Sequence, residues 1–428
     1  EYEKDGDGMS KKDNTLVKNA SFLMVAALVS KIIGLIYKRP LSSMLGNEGF
    51  ACFQFAQNIY FILLMIASFS IPQAVSKIMA ERIAFGRYRD AQRVFRGALI
   101  YAVIMGGAVS LFCLFGASIL IPSNMANARL ALRVLSPTIF FSGILGVFRG
   151  YFQAYRNMMP TSLSQILEQI ANASVALLMV HFMQVSFSAA SDSTQQRWGA
   201  AGATMGTGAG VLAALMLMVV IYGINRKGIR RRVSKDRVSS DESYGSVLRI
   251  IVLIASPIIL SAFIYNVNGY INSYMYSAIM EYKGVAEDVV KSLYSQNSYF
   301  MTIINIPLTL ASTAPTSMIP EVSAHYAYGD IKSANAKTDQ AAWISMLISI
   351  PAAVGLAVLS GPITRLLFPV STPVAANILI IGAVTIVLNG CSNISNGVLQ
   401  GIGKPKIPMI NAAVSLVVDV IVMAVLLF

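Results

Sequence analysis

Apolar residues fall along the chain in about eleven stretches, parted by short breaks of charge, glycine and proline. They lie near 15–44, 50–82, 90–121, 127–155, 160–187, 198–226, 245–280, 288–324, 334–360, 374–400 and 406–428. Each is long enough to cross about 30 Å of hydrocarbon as a helix. The pattern predicts an all-α polytopic membrane protein. Glycine and proline recur inside the stretches, where neighbouring helices satisfy the backbone groups they free. The first stretch is followed by many more, so it does not read as a cleavable signal.

Composition agrees. Of 428 residues, 55% are hydrophobic and 12% charged, roughly half the charge of a soluble domain. Thirty-three Lys and Arg face 20 Asp and Glu. In a membrane chain that excess fixes loops on one side and does not point to nucleic acid. One set of span ends holds Lys11, Lys12, Lys18, Lys77, Arg82, Arg87, Arg89, Arg93, Arg96, Arg149, Arg156, the run Arg226–Arg237, Lys332, Lys337, Lys404 and Lys406. The opposite ends hold few cations, so the first set and the N-terminus are expected to be cytoplasmic. Residues 1–14 read as a tag remnant (Glu1–Gly8, ahead of Met9) and a cytoplasmic N-terminus. Residues 15–226 form a first lobe, 227–244 a basic linker and 245–428 a second lobe. The linker can also meet anionic lipid head groups. The chain stops inside an apolar run after an odd helix count, so further C-terminal helices are expected outside it.

Two weak self-matches indicate a repeat. Ile71–Ala91 resembles Ile319–Ala334, and GVFRG at Gly146–Gly150 resembles GVLQG at Gly397–Gly401. Both offsets are near 250 residues and span six helices. An even number of crossings keeps orientation, which predicts two parallel six-helix bundles.

The remaining charges at membrane depth are candidate functional groups, since each costs about 2.5–3.5 kcal/mol or more on insertion scales. Lys31 and Lys38 lie seven apart in the first span, on one face of an unbroken helix, with Arg39 beside them. Such cations suit a phosphate or pyrophosphate; Lys38 and Arg39 could also snorkel to the interface. Glu168 sits in a polar stripe with Gln165 and Asn172, as a cavity wall, a cation-coupling group or an interhelical clamp. Asp419 could bind Na⁺, carry a proton or pair with a lysine. The seventh span offers Asn266, Asn268, Tyr270 and Asn272, with Tyr265 and Tyr274, groups that contact sugar hydroxyls and ring faces. Pro257 and Gly269, and Pro307, Pro315 and Pro320 in the eighth span, mark helices expected to bend. Cys52, Cys113 and Cys391 read as buried thiols without pairing or metal spacing, and His181 and His325 fit neither a metal site nor a triad. No phosphate-binding GxxxxGK[ST] loop is present.

The segments SKIIGLIYKRPLSSMLGNEGF (Ser30–Phe50), FQFAQNIYFILL (Phe53–Leu64), FRGYFQAYRNMMPTSLSQILEQ (Phe148–Gln169) and GVLQGIGKPKIP (Gly397–Pro408) resemble the polysaccharide-transport and stage V sporulation protein B group. That group belongs to the multidrug/oligosaccharidyl-lipid/polysaccharide exporter superfamily and is related to MurJ-type lipid II flippases. The resemblance covers the chain from Thr15 onward. It implies a V-shaped pair of six-helix lobes and flipping of an undecaprenyl-pyrophosphate-linked saccharide across a bacterial cell membrane. It implies a cationic cavity wall that carries over to Lys31 and Lys38, and it singles out Arg149 and Glu168. Asn172 departs from a frequent Arg, Asp419 from a frequent Lys and Asn272 from a frequent acid.

The leading expectation is therefore a flippase for a lipid-linked saccharide, lipid II among the candidates. It is not an enzyme, needs no cofactor beyond Na⁺ or H⁺ coupling, and would work beside envelope synthases. Lys31, Lys38 and Arg39 would hold the pyrophosphate, and the Asn/Tyr face of the seventh helix the sugar. The alternatives are a cation-coupled multidrug or metabolite antiporter and a non-transporting scaffold for envelope synthesis.

Overall fold

A computed structural model describes residues 25, 26, 28–69, 71–155, 157–239, 242–402, 404 and 406–427. For 69, 254–262, 264, 265, 312–321, 323, 324, 327, 400 and 401 it is used for the backbone alone. The tag-remnant reading, the start of the first span, Lys11, Lys12, Lys18 and Arg156 lie outside the described residues.

Most of the described residues are helical, and none of them is in a strand; Cys52 and Cys113 are buried, but Cys391 is exposed. In order they are α1 (28–36), α2 (Lys38–Leu64), α3 (Ile71–Ala84), α4 (Tyr88–Leu120), α5 (Ala128–Ala154), α6 (Met159–Ser186), α7 (Asp192–Ser234), α8 (Tyr244–Tyr282), α9 (Glu287–Ala327), α10 (Ile331–Val358), α11 (Ser360–Leu367), α12 (Pro373–Gly382), α13 (Val384–Gly401) and α14 (Lys406–Leu427). Eight helical stretches among the described residues are long and apolar enough to cross a membrane. The long α8 and α9 continue unbroken through Pro257, Gly269, Pro307, Pro315 and Pro320.

Four local details refine the sequence pattern. The chain turns at Tyr37 within the first span. Gly46 (φ 66°, ψ 178°) then breaks α2, where a loop near residue 45 was expected. A π-helical turn at Met65–Phe69 separates α2 from α3. Pro72, which has no N–H to continue the helical ladder, follows it near the start of α3. Lastly, α7 runs to Ser234, so the basic run expected as a linker is mostly helix. Arg and Lys are good helix formers, and their charge is favourable at a helix C-terminus.

The chain divides into two compact units. The first holds residues through Ile33, Ala56–Ile121 and Ala126–Phe263; the second holds Gly34–Phe55, Pro122–Met125 and Ile264–Phe428. The 227–244 boundary expected from composition thus falls inside the first unit, which keeps the opening half of α8. Val247 and Ile251 of α8 are buried there with Phe95, Ala98 and Phe148.

In the first unit the connection from α7 to α8 is fastened to the start of α4. Asp236 accepts from the Arg89 N–H at 2.7 Å, the Val238 N–H at 2.9 Å and the Ser239 hydroxyl at 2.5 Å. Burial alone would raise its pKa, but these donors hold the carboxyl well below the usual range. Glu242 accepts from Arg82 at 3.4 Å and Arg87 at 2.9 Å, and Arg87 also donates to buried Asp90 at 2.8 Å. The basic ends of α3, α4, α7 and α8 therefore meet on one side of this unit, as the charge pattern requires.

The internal repeat reappears as a turn. Gly86 (φ 74°) joins α3 to α4 and Gly329 (φ 79°) joins α9 to α10. The next residues match closely: Arg87 at φ −84°, ψ 67° and Asp330 at φ −82°, ψ 72°. The hydrogen bonds match too. Gly86 N–H donates to Ile83 O and Arg87 N–H to Arg82 O, as Gly329 N–H donates to Tyr326 O and Asp330 N–H to His325 O. A left-handed glycine closes the helix in both copies.

Close backbone contact builds the first unit. On α7, Gly202, Gly206 and Gly210 recur every four residues against α6. A Cβ at Gly206 would stand 2.5 Å from Asn172 O, and one at Gly210 2.5 Å from Glu168 O. On α5, Gly146 and Gly150 press on Pro72, which accounts for the two glycines of GVFRG. Gly206→Leu should therefore destabilise the protein by about 2–3 kcal/mol through overpacking. Gly223→Leu, on the same helix with nothing within 4 Å, should leave it nearly unchanged. Thermal unfolding of the purified protein in detergent, followed by size-exclusion fluorescence, checks the contrast.

Candidate functional site

In the first unit the polar stripe of α6 gains a partner from α5. Pro160 opens α6 just after α5 ends, and both helices pack on α7. Arg149 sits between Gly146 and Gly150, the glycines that bring α5 against α3. Its Nη2 donates to Glu168 Oε2 at 2.6 Å and its Nε to Ser164 Oγ at 3.0 Å. Ser164 Oγ in turn donates to Thr161 O at 2.7 Å. The pair is partly exposed, at 17% for Arg149 and 31% for Glu168. Glu168 is thus clamped as well as placed on a polar wall. Gln165 Oε1 and Asn172 Oδ1 continue the stripe, buried with no hydrogen-bond partner among the described residues. Gln57 donates to Thr207 Oγ1 at 2.8 Å within the same unit.

Sequence pattern alone does not pair Arg149 with Glu168. The signal is nonetheless present in one contiguous motif, RGYFQAYRNMMPTSLSQILEQ, whose central proline reverses the chain.

The first-span cations are divided. Lys31 belongs to the first unit, on an exposed position of α1; Lys38 and Arg39 belong to the second. Tyr37 parts the helical segment that carries Lys31 from the one that carries Lys38 and Arg39. Lys38 Nζ donates to Thr302 Oγ1 on α9 at 3.1 Å, and Thr302 Oγ1 donates to Ser298 O at 2.9 Å. Arg39 is exposed beside Pro40.

One face of α9 carries the matching polar groups down its length. Asn47 Oδ1 accepts from Tyr299 OH at 2.9 Å and Gln296 Nε2 at 3.3 Å. Lys291 pairs with Glu287 at 2.6 Å and lies 3.9 Å from Glu48. Tyr299 stacks on Phe368 with ring centres 4.3 Å apart, and Phe50 lies 5.0 Å from Tyr299. Lys291, Gln296, Tyr299 and Thr302 of α9 thus meet Gly34–Phe55, which packs as part of the second unit. This seam was not anticipated, because its partners lie some 250 residues apart.

The polar residues of α8 lie on two rows. Asn268 and Asn272 share one, with both Oδ1 atoms buried and lacking a hydrogen-bond partner among the described residues. Asn266, Tyr270 and Tyr274 share another, about 200° round the helix, with Tyr270 and Tyr274 rings 6.0 Å apart. A single Asn/Tyr face is therefore not what α8 presents. Ser273 meets Tyr294 OH at 3.1 Å, fixing α8 to α9. Asp419 stands on α14 with Oδ2 buried and lacking a hydrogen-bond partner among the described residues. No group of three or more His, Cys, Asp or Glu among the described residues could hold a metal ion.

The clamp generates a test. Glu168→Gln and Arg149→Gln should each lower stability, and the double variant should lose less than their sum. The coupling should be about 1 kcal/mol, as for a partly exposed pair. Thermal unfolding of the four proteins closes the cycle; zero coupling would mean the pair does not hold α5 to α6.

Comparison with known proteins places this architecture. The fold resembles an inward-facing multidrug resistance MATE family transporter of the MOP superfamily (TM-score 0.73, 17% identity, 94% of this chain and 88% of that one). The sequence is 24% identical to lipid II flippase MurJ of Bacillus subtilis (strain 168) over 435 aligned positions, covering 96% of this chain and 76% of the relative. It is 25% identical to stage V sporulation protein B of the same organism over 317, covering 72% of this chain and 58% of the relative. The MatE family model matches residues 295–425. The model described as polysaccharide biosynthesis protein matches residues 16–320. The chain is a multi-pass membrane protein and belongs to the polysaccharide biosynthesis protein family.

Proposed function

We propose that the chain is a flippase that carries an undecaprenyl-pyrophosphate-linked saccharide from the inner to the outer leaflet of a bacterial cell membrane. The observation that carries this reading is the similarity, over nearly the whole chain, to a lipid II flippase. The residues give it chemistry. Lys38 places an ammonium at membrane depth against Thr302, and Lys31 and Arg39 add charge on the same span. Cations in that setting attract a pyrophosphate more strongly than they would in water. The orphaned carbonyls of Asn268 and Asn272 accept from hydroxyls such as those of a sugar. The prenyl tail stays in lipid, so only the head group crosses.

Transport of this kind forms and breaks no covalent bond. Alternating access supplies the path. An ion gradient or the membrane potential supplies the drive, with Asp419 and Glu168 the acids available for Na⁺ or H⁺. The N-terminus and the basic ends lie in the cytoplasm, where envelope synthases deliver substrate.

The antiporter reading makes a different demand, an acid-lined site for cationic drugs. Glu168 is held by Arg149 instead, which favours an anionic cargo.

Proteoliposomes loaded with fluorescent lipid II test the proposal through head-group access to an external quencher. Wild type should translocate the lipid; Lys38→Ala/Lys31→Ala should be slower by about tenfold or more. Equal rates in both, or efflux of cationic dyes with no lipid movement, would overturn it.

A further inference from the structure

The strongest unabsorbed feature is the end of α7. Its 43 residues span about 64 Å at 1.5 Å each, twice the hydrocarbon thickness. The apolar run ends at Ile224, and NRKGIRRRVS completes the helix. Counted from there, Arg226–Arg232 lie within about 3–12 Å of the hydrocarbon edge along the axis. That is the layer of lipid head groups.

Arg226, Lys227, Arg230, Arg231, Lys235 and Arg237 are all exposed. None of them has an ion pair with a described residue. The neighbouring acids Asp90, Glu242 and Asp236, among the described residues, are already engaged: Asp90 by Arg87, Glu242 by Arg82 and Arg87, Asp236 by the backbone of Arg89 and Val238 and by Ser239. That fastening leaves the acids facing inward and the cations outward. Large apolar side chains stand beside them, with Ile224 75% exposed, Phe85 67% and Val238 65%. Phe85 lies in the α3–α4 turn and Val238 in the segment bonded to it, so both belong to the same end of this unit. Cations interleaved with exposed apolar groups at head-group depth are the composition of a surface that seats on anionic lipid.

We infer that the C-terminal turns of α7, with the adjoining segment to Arg237, form a binding surface for anionic phospholipid head groups, separate from the transport pathway. The guanidinium groups take the lipid phosphates, and Ile224, Phe85 and Val238 meet the acyl boundary. Bound lipid would fasten the connection between α7 and α8 to the membrane surface. Arg232 is engaged differently, with its guanidinium over the Tyr155 ring at 5.6 Å.

Native mass spectrometry of the full chain tests this with phosphatidylglycerol against phosphatidylcholine. Wild type should retain phosphatidylglycerol selectively, and 0.5 M salt should abolish the preference. Arg226→Gln/Lys227→Gln/Arg230→Gln/Arg231→Gln should bind it at least about tenfold more weakly. The matching Arg→Lys variant at 226, 230 and 231 should keep it. Unchanged retention in the Gln variant overturns the inference. If that variant does not fold, a wild-type preference that survives high salt overturns it equally. Binding of inorganic phosphate without lipid retention does so as well.

Discussion

Within hydrocarbon, helices gain nothing by hiding apolar side chains from lipid that is equally apolar, so close backbone contact must hold them. This protein meets that constraint with glycine. Gly202, Gly206 and Gly210 let α7 lie on the carbonyls of Met179, Asn172 and Glu168, and Gly146 and Gly150 let α5 lie on Pro72. These two seams position the chemistry. The first sets the turns of α6 that carry Glu168 and Asn172. The second sets the turn of α5 that carries Arg149. The ion pair between them follows from packing that involves neither side chain.

The second unit solves the same problem with polar and aromatic contacts. Asn47, Gln296 and Tyr299 form a bonded cluster, and Thr302 meets Lys38 four residues beyond Ser298. The segment Gly34–Phe55 is thereby committed to α9, although it follows directly on residues of the first unit. The opening half of α8 shows the converse, buried with α4 and α5 while its remainder belongs to the second unit. The first span thus divides between the units after Ile33, the second after Phe55 and the seventh after Phe263.

Much of this was legible in sequence because lipid imposes a simple rule. A helix must be apolar for about 20 residues, so the spans stood out, and the helices follow them closely. The repeat was legible because a left-handed glycine turn needs Gly86 and Gly329. Local chemistry was harder to read. The second span read as continuous over 50–82, and the π-helical turn at Met65–Phe69 inside it was not anticipated. The helical run to Ser234 was masked by its polarity, which marks water and not loss of helix. The site was legible only in part. Glu168 was recognised as an acid at membrane depth, yet its partner Arg149 stands on the preceding helix. The row of Asn268 and Asn272 needed a register that composition does not give. Lys38 and Thr302 are 264 residues apart, beyond any pattern a single sequence displays.

Central to the proposed mechanism is the engagement of a lipid-linked pyrophosphate by membrane-depth lysines. The direct measurement is native mass spectrometry of the purified protein with undecaprenyl-pyrophosphate lipid, comparing wild type with Lys31→Ala/Lys38→Ala. The mechanism predicts selective binding by wild type over undecaprenyl alcohol, and its loss in the variant at unchanged folding. Equal binding in the two proteins, or none in either, would contradict it.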